Sequence, residues 1–425
     1  MRLTLSLLLA APLLCAEVHT LSLQQAAARA LARNPDILMA RLEEQKAAQQ
    51  VRVARDPFVP KLYAGSGLAY SYGFPMSIEG SAPSVVQARA VSSVFNRSKS
   101  YALEQTKEAA RGMGFVTRSR SEDAVMRTID LWLDAEHAAR AAEAAQRQVD
   151  SAQRLEAITR HRVEGGAELP IEARKAALES AKARQRAQSL EADRQLLEST
   201  LAAVLGYEPG DRVSPVPGER PLPDVPDSEM LARTQAWAQS PELRKLESDL
   251  TAKQWEGRSA RAARLPTLDL VAQYGLFAKF NNYDEYFNRF QRSNAQLGVS
   301  VTVPLLLGPA AQAQAAQATL ETSRLRTEIQ AVRNRIALGV NEDYVALRRA
   351  QTSFDVARLD LDVARESLTV LLRRHEMGEG SLAEVESARR IEAEKWLAWL
   401  AAQHQIERAR FALLHRTGTL LAAVQ

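Results

Sequence analysis

The chain is poor in cysteine and in aromatic residues, and both shortages narrow the functions open to it. Cys15 is the only cysteine among 425 residues, which excludes an internal disulfide, a cysteine metal site and thiol catalysis once a leader is removed. Aromatic residues make up 6% of the chain, whereas alanine, arginine, glutamine and glutamate are abundant. This composition favours long helices packed through small side chains over a large globular core.

Long hydrophobic runs are also scarce, and the longest stands at the N-terminus. Residues 3–14 are mostly apolar and follow a basic start. They predict a secretory signal peptide over residues 1–16, cleaved after Ala16. A lipoprotein signal with Cys15 acylated is the alternative, although the two leucines before Cys15 stand where lipid attachment prefers small residues.

Beyond the signal, no apolar run approaches the roughly 18 residues of a membrane-spanning helix. An exported chain of this kind can enter a membrane only as a β-barrel. Four stretches of about ten residues alternate between apolar and polar residues as barrel strands do. They lie at about 62–74, 85–95, 268–278 and 294–304. Soluble hairpins packed on another surface are the alternative, and four strands alone cannot close a membrane barrel, which needs about eight.

The chain repeats itself, and the repeat defines its predicted domains. Asn34-Pro35 reappears as Ser240-Pro241, and Arg162, Gly166 and Glu172 reappear as Arg374, Gly378 and Glu384. The first repeat is predicted at 17–205 and the second at 228–425. A connector at 206–227 contains six prolines and is expected to wrap the outside of the helices.

Each repeat contains a very long segment in which helix breakers are rare. These segments, 98–163 and 309–377, predict helices several times longer than the average in globular proteins. Each turns at a glycine-containing loop, near residues 166 and 378, and returns as a helix of about 35 residues. The apolar residues of these helices form a narrow coiled-coil seam, which needs partner helices to cover it.

Charge and motifs argue against nucleic acid and against catalysis. The net charge is +4, but basic and acidic residues are finely mixed, as on solvated helix faces. The six histidines form no metal-ligand spacing, and Asp134 to His137, half of a helical di-iron motif, is expected to be surface helix composition. Phosphate loops, zinc-protease motifs and nucleophile elbows are absent from the sequence. We therefore expect neither an enzyme nor a cofactor.

With these features in place, the whole mature chain resembles the TolC family of outer-membrane efflux proteins. The resemblance rests on the twofold repeat, the Asn/Ser-Pro pairs, the prolines before the strands, and the Arg-x-x-x-Gly motif followed by Glu and Ala. It implies a mostly α fold with a small β part, assembled as a homotrimer. Each protomer would give four strands to a twelve-stranded outer-membrane barrel and its helical hairpins to a periplasmic tunnel.

The resemblance also implies a function and partners. Members of this family serve as the exit duct of tripartite efflux pumps or of type I secretion systems, embedded in outer-membrane lipid. A periplasmic adaptor docks on the helical tips, and an inner-membrane transporter, of the resistance-nodulation-division or the ABC type, supplies the energy. The cargo stays open in the sequence. A structural periplasmic coiled-coil protein without a channel is the alternative.

The resemblance places the adaptor-docking tips and a gate at the two hairpin turns. The tips are Gly165, Gly166, Gly378 and Gly380. Glu384 stands where the family has an acidic ring, and three such carboxylates around a narrow pore would raise the local cation concentration. An ordinary solvated residue near a turn is the alternative for Glu384.

Two further gate candidates precede the second tip. Arg374 ends the outgoing helix, where a cation is favourable beside the negative end of the helix dipole, and a gate-closing salt bridge to a neighbouring helix is the functional hypothesis. His375 stands where the family often has a gate tyrosine, and its titration near neutral pH would open the tip. Ser387 replaces a second acidic residue of some members. The aromatic loop at 279–293 is interpreted as an extracellular loop, with a phage or bacteriocin receptor as the alternative.

Overall fold

A computed structural model describes residues 17–67, 84–166, 168–216, 223–277, 291–305, 308–377, 379 and 382–424. The protein is mostly α-helical with a small β part, as the sequence predicts. The predicted signal peptide at 1–16 lies outside the described residues. None of the helices described is both long enough and apolar enough to cross a membrane.

The helices follow the pattern of breakers in the sequence. They are α1 (Leu23–Arg33), α2 (Pro35–Arg55), α3 (Arg97–Glu164), α4 (Pro170–Val204), α5 (Glu229–Gln239), α6 (Pro241–Ala262), α7 (Ala310–Glu376), α8 (Leu382–Thr417) and α9 (Leu420–Val424). The two long helices, α3 and α7, have 68 and 67 residues and agree with the predicted segments within one residue at each end. Their return helices, α4 and α8, have 35 and 36 residues.

The Asn-Pro pair is a junction between two helices, and its chemistry explains the sequence. Pro35 opens α2, where its missing N–H costs nothing. The Oδ1 atom of Asn34 accepts a hydrogen bond from the Asp36 N–H at 2.9 Å, and its Nδ2 donates to the carbonyl of Val204 at 2.9 Å. Asn34 thus caps one helix and ties it to the end of another.

The strands form two sheets. They are β1 (Val18–Leu21), β2 (Lys61–Gly67), β3 (Ser84–Phe95), β4 (Arg212–Pro215), β5 (Thr267–Phe277) and β6 (Ser293–Thr302). The larger sheet is antiparallel with the order β2-β3-β5-β6, and the smaller pairs β1 with β4 in parallel. The larger sheet contains the four strands expected from alternation. Residues 68–74 and 278 of those expected strands lie outside the described residues.

Contacts along the chain divide it into two compact units. Unit 1 comprises Met1–Ala40, Thr117–Pro241 and Arg333–Gln425, and unit 2 comprises Arg41–Val116 and Glu242–Val332. Each unit takes segments from both predicted repeats. The boundaries of the repeats themselves stay a prediction.

Unit 1 has its main core around Trp132. The indole is 1% exposed and packs among alanines, leucines and valines of several helices. Its Nε1 donates a hydrogen bond to the carbonyl of Leu21, the last residue of β1, at 3.0 Å. The core therefore holds the end of β1 as well as the helices.

The small β1–β4 sheet was not expected from the sequence. Val18 to Leu21 lie opposite Arg212 to Pro215, residue by residue. Val213 is 0% exposed and belongs to the main core of unit 1. The connector thus contributes an apolar residue to the core, where burial is favourable, and its predicted course around the outside of the helices stays a prediction.

Unit 2 contains the four-stranded sheet. Its longest pairings are antiparallel and join β3 to β5 and β5 to β6. The register of β5 with β6 is continuous, whereas that of β3 with β5 shifts between Ser84 and Val86 and between Ser93 and Phe95. Every residue of β6 is exposed in the single chain, including the apolar Leu297 at 78%, Val299 and Val301. Apolar residues alternate with polar ones along β6. Because all of its residues are exposed, neither face of β6 is covered within the described chain.

Candidate functional site

The first hairpin tip is a short turn that requires glycine. Helix α3 ends at Glu164, and the N–H groups of Gly165 and Gly166 donate to the carbonyls of His161 and Val163, each at 3.0 Å. Gly166 has a φ of 74°, in the left-handed region that residues with a Cβ adopt at a cost. The two predicted tip glycines of the first repeat therefore do form the turn between α3 and α4.

Helix α4 begins immediately beyond this turn. Leu169 is its N-cap residue, and Pro170 takes the first helical position, where proline is favoured. Arg162 Nε lies 3.3 Å from Glu168 Oε1, so an ion pair joins the two arms of the turn.

The second tip closes in a similar way over the residues that are described. The N–H of Met377 donates to the carbonyl of Arg373 at 3.1 Å, and that of Glu379 donates to the carbonyl of Arg374 at 2.9 Å. The second bond spans five residues, as in the Schellman ending of a helix. Gly378, Gly380 and the side chain of His375 lie outside the described residues, so their predicted roles stay predictions.

Arg374 and Glu384 flank this second turn. Arg374 is exposed, and its side chain forms no ion pair with a residue that the structure describes. Glu384 is exposed in the first turn of α8, where a carboxylate is favourable beside the positive end of the helix dipole. The local fold explains both charges, and the gate roles of Arg374 and Glu384 stay predictions.

A groove lies beside the tips between the two helical hairpins of unit 1. It has a volume of about 830 Å³ and is lined by residues of α3, α4 and α8, with Arg365 of α7. Ser151 of α3 donates to Glu386 of α8 at 3.2 Å, and the Arg147 guanidinium lies 5.8 Å from the Trp396 ring centre. Charged side chains of both signs and one indole suit a polar protein surface.

A polar cluster lies further along the same helices, where α3 packs against α8. His404 Nε2 is 2.9 Å from Asp134 Oδ1, and Arg408 Nε is 3.0 Å from Asp130 Oδ1. The His137 ring stands 5.2 Å from that of His404. Within the part of the chain that the structure describes, no group of acidic residues, cysteines and histidines could hold a metal ion.

The environment shifts the pKa of three groups in this cluster. The close contact with His404 lowers the pKa of Asp134, whereas burial raises the pKa of Asp130. Burial also lowers the pKa of His137, and the nearby His404 lowers it further. The Nε2 atom of His137 is buried without a hydrogen-bond partner among the described residues, which favours the neutral ring.

Comparison with known proteins decides the family. The family model described as "Outer membrane efflux protein" matches residues 26–207 and again residues 232–419, most of the chain. The chain belongs to the outer membrane efflux protein family. The resemblance to the TolC family is thereby confirmed, and the family is one of outer-membrane efflux proteins rather than of enzymes.

One curated relative of this outer membrane efflux protein is BepC. The chain is 24% identical to the "Outer membrane efflux protein BepC" of Brucella suis biovar 1 (strain 1330) over 231 residues. The match covers 54% of this chain and 49% of BepC, so the chain spans about half the length of the curated relative it matches.

Solved structures show that the protein has the fold of outer-membrane channels. The Campylobacter jejuni CmeC outer membrane channel has a TM-score of 0.76 at 15% identity, over 94% of this chain and 86% of that one. The Neisseria gonorrhoeae MtrE outer membrane channel, solved in its open state, has a TM-score of 0.72 at 17% identity, over 95% of this chain and 90% of that one. The predicted TolC-like fold is confirmed.

The polar cluster of this efflux protein was not found from the sequence. Asp134 to His137 were expected on a surface, but Glu136 is 7% exposed and Arg140 donates to it at 2.7 Å. The expectation is wrong at Glu136, because this segment of α3 is packed against other helices. The spacing of the two histidines along the chain, at 137 and 404, gave no signal that they would meet.

His137 makes stability depend on pH. Its pKa is lowered in the fold, so the unfolded chain binds the proton first as the pH falls below about 6.5. The neutral His137 ring therefore contributes to the free energy of unfolding above that pH. This contribution is lost below it, by up to about 1.4 kcal/mol per pH unit. We expect His137→Gln to flatten the fall in the free energy of unfolding between pH 7.5 and 5.5.

The measurement is urea unfolding of the full chain in detergent, followed by circular dichroism at both pH values. Asp134, His404 and Arg140 face His137 from α3 and α8, and they stay in place in the variant. His161→Gln is the control, because that side chain is 83% exposed at the first tip. Equal pH slopes for His137→Gln and the wild type would contradict the prediction.

Proposed function

We propose that three copies of this chain form the outer-membrane exit duct of a tripartite efflux pump or of a type I secretion system, through which small molecules leave the periplasm passively. The observation that carries the proposal is the four-stranded sheet. Among the described residues its outer strands, β2 and β6, each pair on one side only. Open edges of this kind recruit further strands.

The number of strands supports three copies. A membrane barrel needs about eight strands or more, and bacterial barrels have an even number. Three sheets of four strands, joined β6 to β2, would give the twelve-stranded barrel. The exposed alternation of β6, with Leu297, Val299 and Val301 on one face, fits a wall with lipid on one side and water on the other.

Helix α7 supports the same assembly. Along it, apolar side chains are exposed at spacings of three, four, seven and eleven residues, as in a coiled-coil seam. They are Leu338, Val345, Val356, Leu359, Val363 and Val370. In the proposed trimer, helices of neighbouring copies would cover this seam, and the helical hairpins would form the periplasmic tunnel.

We place the partners at the tips. Adaptor docking is proposed at the turns that contain Gly165, Gly166, Gly378 and Gly380, beside the groove of about 830 Å³ between the hairpins. An inner-membrane transporter of the resistance-nodulation-division or the ABC type would supply energy. The two segments matched by the family model, 26–207 and 232–419, support two structural repeats at 17–205 and 228–425.

The proposal is tested by planar-bilayer conductance of the detergent-purified full chain, with the oligomeric mass measured on the same sample. We expect a trimer with small, mostly closed, cation-selective currents. A monomer or dimer without currents would reject the duct and favour the alternative, a structural periplasmic coiled-coil protein. We propose that Glu384, together with Arg374 and His375, forms the gate of this duct.

Replacing Glu384 by alanine tests the gate. We expect the cation-to-anion permeability ratio to fall by at least about twofold, because three carboxylates would leave the narrowest part of the duct. The matched control is Glu172→Ala, since Glu172 holds the corresponding place in the first repeat and also lies in the first turn of its helix, with its side chain 44% exposed. Unchanged reversal potentials in Glu384→Ala would contradict a role of Glu384 in ion selectivity.

A further inference from the structure

Unit 2 contains a strongly basic pocket between α6 and α7. Its volume is about 710 Å³, and its lining includes five cationic side chains and no carboxylate. The cations are Lys253, Arg258, Arg261, Arg264 and Arg326. Such a concentration of one sign raises the local concentration of anions.

The four arginines of the pocket differ from Lys253 and from the nearby Arg324 in their ion pairing. Lys253 Nζ lies 2.8 Å from Glu256, and Arg324, on the same helix as Arg326, is paired with Glu321 at 2.9 Å. The four arginines of the pocket form no ion pair with any residue that the structure describes. Within the described chain, no ion pair therefore neutralises the charge of these four arginines.

Two of the arginines are held in place by contacts that leave their charge available. Arg261 Nε donates to the carbonyl of Gly257 at 3.1 Å. The Arg258 guanidinium stands 4.4 Å from the centre of the Trp255 ring, a cation–π contact. Ordered guanidinium groups lose less entropy on binding a ligand than free ones do.

The wall of the pocket is formed by small and polar residues. A Cβ on Gly257 would lie 3.3 Å from that of Ala318, so α6 and α7 approach closely there. Thr319, Thr322 and Ser323 add hydroxyls to the lining. Thr319 and Thr322 donate to main-chain carbonyls of α7.

We propose that this pocket binds an anion that carries a phosphate group. Arginine is the residue that best matches phosphate oxygens, because its planar group donates two parallel hydrogen bonds. The four guanidinium groups form no ion pair within the described chain, and together they carry more positive charge than a ligand with a single carboxylate would neutralise. Leu265, which is 40% exposed on the pocket's rim, offers an apolar contact beside the anion.

The position in the chain indicates the source of the phosphate. Arg264 precedes Thr267, the first residue of β5, by three residues, which is at most about 11 Å of chain. If the strands cross the outer membrane, the pocket lies at the level of the lipid headgroups. The lipid source thus rests on the proposed function, whereas phosphate binding itself does not.

The test uses the full chain purified in a neutral maltoside detergent and titrated with dioleoylphosphatidylglycerol by native mass spectrometry. We expect saturable binding by the wild type, and binding at least about tenfold weaker in the double variant Arg261→Gln/Arg326→Gln. The control is Arg324→Gln/Arg348→Gln, which removes the same charge from two exposed arginines outside the pocket and is expected to bind as the wild type does.

A second variant and two further ligands decide the remaining outcomes. Arg261→Lys/Arg326→Lys keeps the charge without the forked donors and is expected to bind with intermediate strength. Dioleoylphosphatidylcholine tests the need for net negative charge, and inorganic phosphate tests the free anion. Binding of inorganic phosphate without binding of either lipid would assign the pocket to a free phosphate compound.

Equal binding of phosphatidylglycerol and of phosphate by the wild type and by the double glutamine variant would overturn the inference. Circular dichroism of each variant tests whether it is folded. Conductance measured on the same samples separates this inference from the duct. A chain that forms no channel but loses phosphate binding in the variant would keep the pocket and reject the duct.

Discussion

Replacing Trp132 by alanine is expected to lower the free energy of unfolding by about 3–5 kcal/mol. The indole is 1% exposed at the centre of the main core of unit 1, so its removal leaves a large cavity. It also deprives the carbonyl of Leu21 of its 3.0 Å hydrogen bond. Urea unfolding of the full chain in detergent, followed by circular dichroism at 222 nm, the standard helix signal, measures the change.

Two further substitutions separate packing from hydrogen bonding. Trp132→Phe keeps most of the apolar volume and loses the donor, and we expect a cost of about 1–3 kcal/mol. Trp237→Ala is the control, because this indole also donates to a carbonyl, that of Arg333 at 3.0 Å, but is 38% exposed. A smaller loss in Trp132→Ala than in Trp237→Ala would contradict the account of the core.

Gly206→Ala is expected to destabilise the fold by about 2–5 kcal/mol, the sum of backbone strain and a steric clash. Gly206 follows Leu205, the C-cap residue of α4, and has a φ of 69°, and a Cβ there would stand 2.9 Å from the carbonyl oxygen of Arg33. This neighbour is main chain at the end of α1, so it cannot rotate away. Thermal and urea unfolding of the full chain measure the effect.

The matched control for this substitution is Gly166→Ala at the first tip. Gly166 has a nearly identical φ of 74°, and a Cβ there would meet nothing within 4 Å. We expect a cost of about 1–2 kcal/mol, from the left-handed backbone alone. Equal costs at Gly206 and Gly166 would mean that the contact with Arg33 relaxes freely.

The helices and the large sheet were predictable because local signals define them. A near absence of proline and glycine between residues 98 and 163 left few alternatives to one long helix, and α3 has these limits within one residue. The alternation of Leu297, Val299 and Val301 with polar residues predicted β6 without help from the rest of the fold. Length and periodicity were sufficient in both cases.

Features that depend on distant residues could not be predicted in this way. Strand β4 has only four residues and lies in a proline-rich segment, so its alternation is too short to predict a strand. Its pairing partner, β1, stands near the other end of the repeat. The contact of His137 with His404 and the basic pocket of unit 2 likewise depend on helix packing. The sequence did not reveal the pocket, because basic and acidic residues are evenly mixed along the chain.

Among the candidate site residues, the sequence predicted positions better than roles. Gly165 and Gly166 form a helical turn, and Glu384 stands in the first turn of α8. A gate, however, is a property of side chains from several copies around one axis. A single sequence therefore predicts where the turns lie, but the residues that close a pore depend on the assembly.

The parallel ribbon of β1 and β4 has a consequence for the order of folding. Glu17 donates its N–H to Asp211, 194 residues further along the chain, and β1 pairs with β4 beside that bond. Closing so long a loop costs entropy before any contact compensates it. We therefore expect the ribbon to form late, after α3 and α4 have folded into a hairpin and brought its two halves together. It would then stabilise a unit that has already folded rather than nucleate folding.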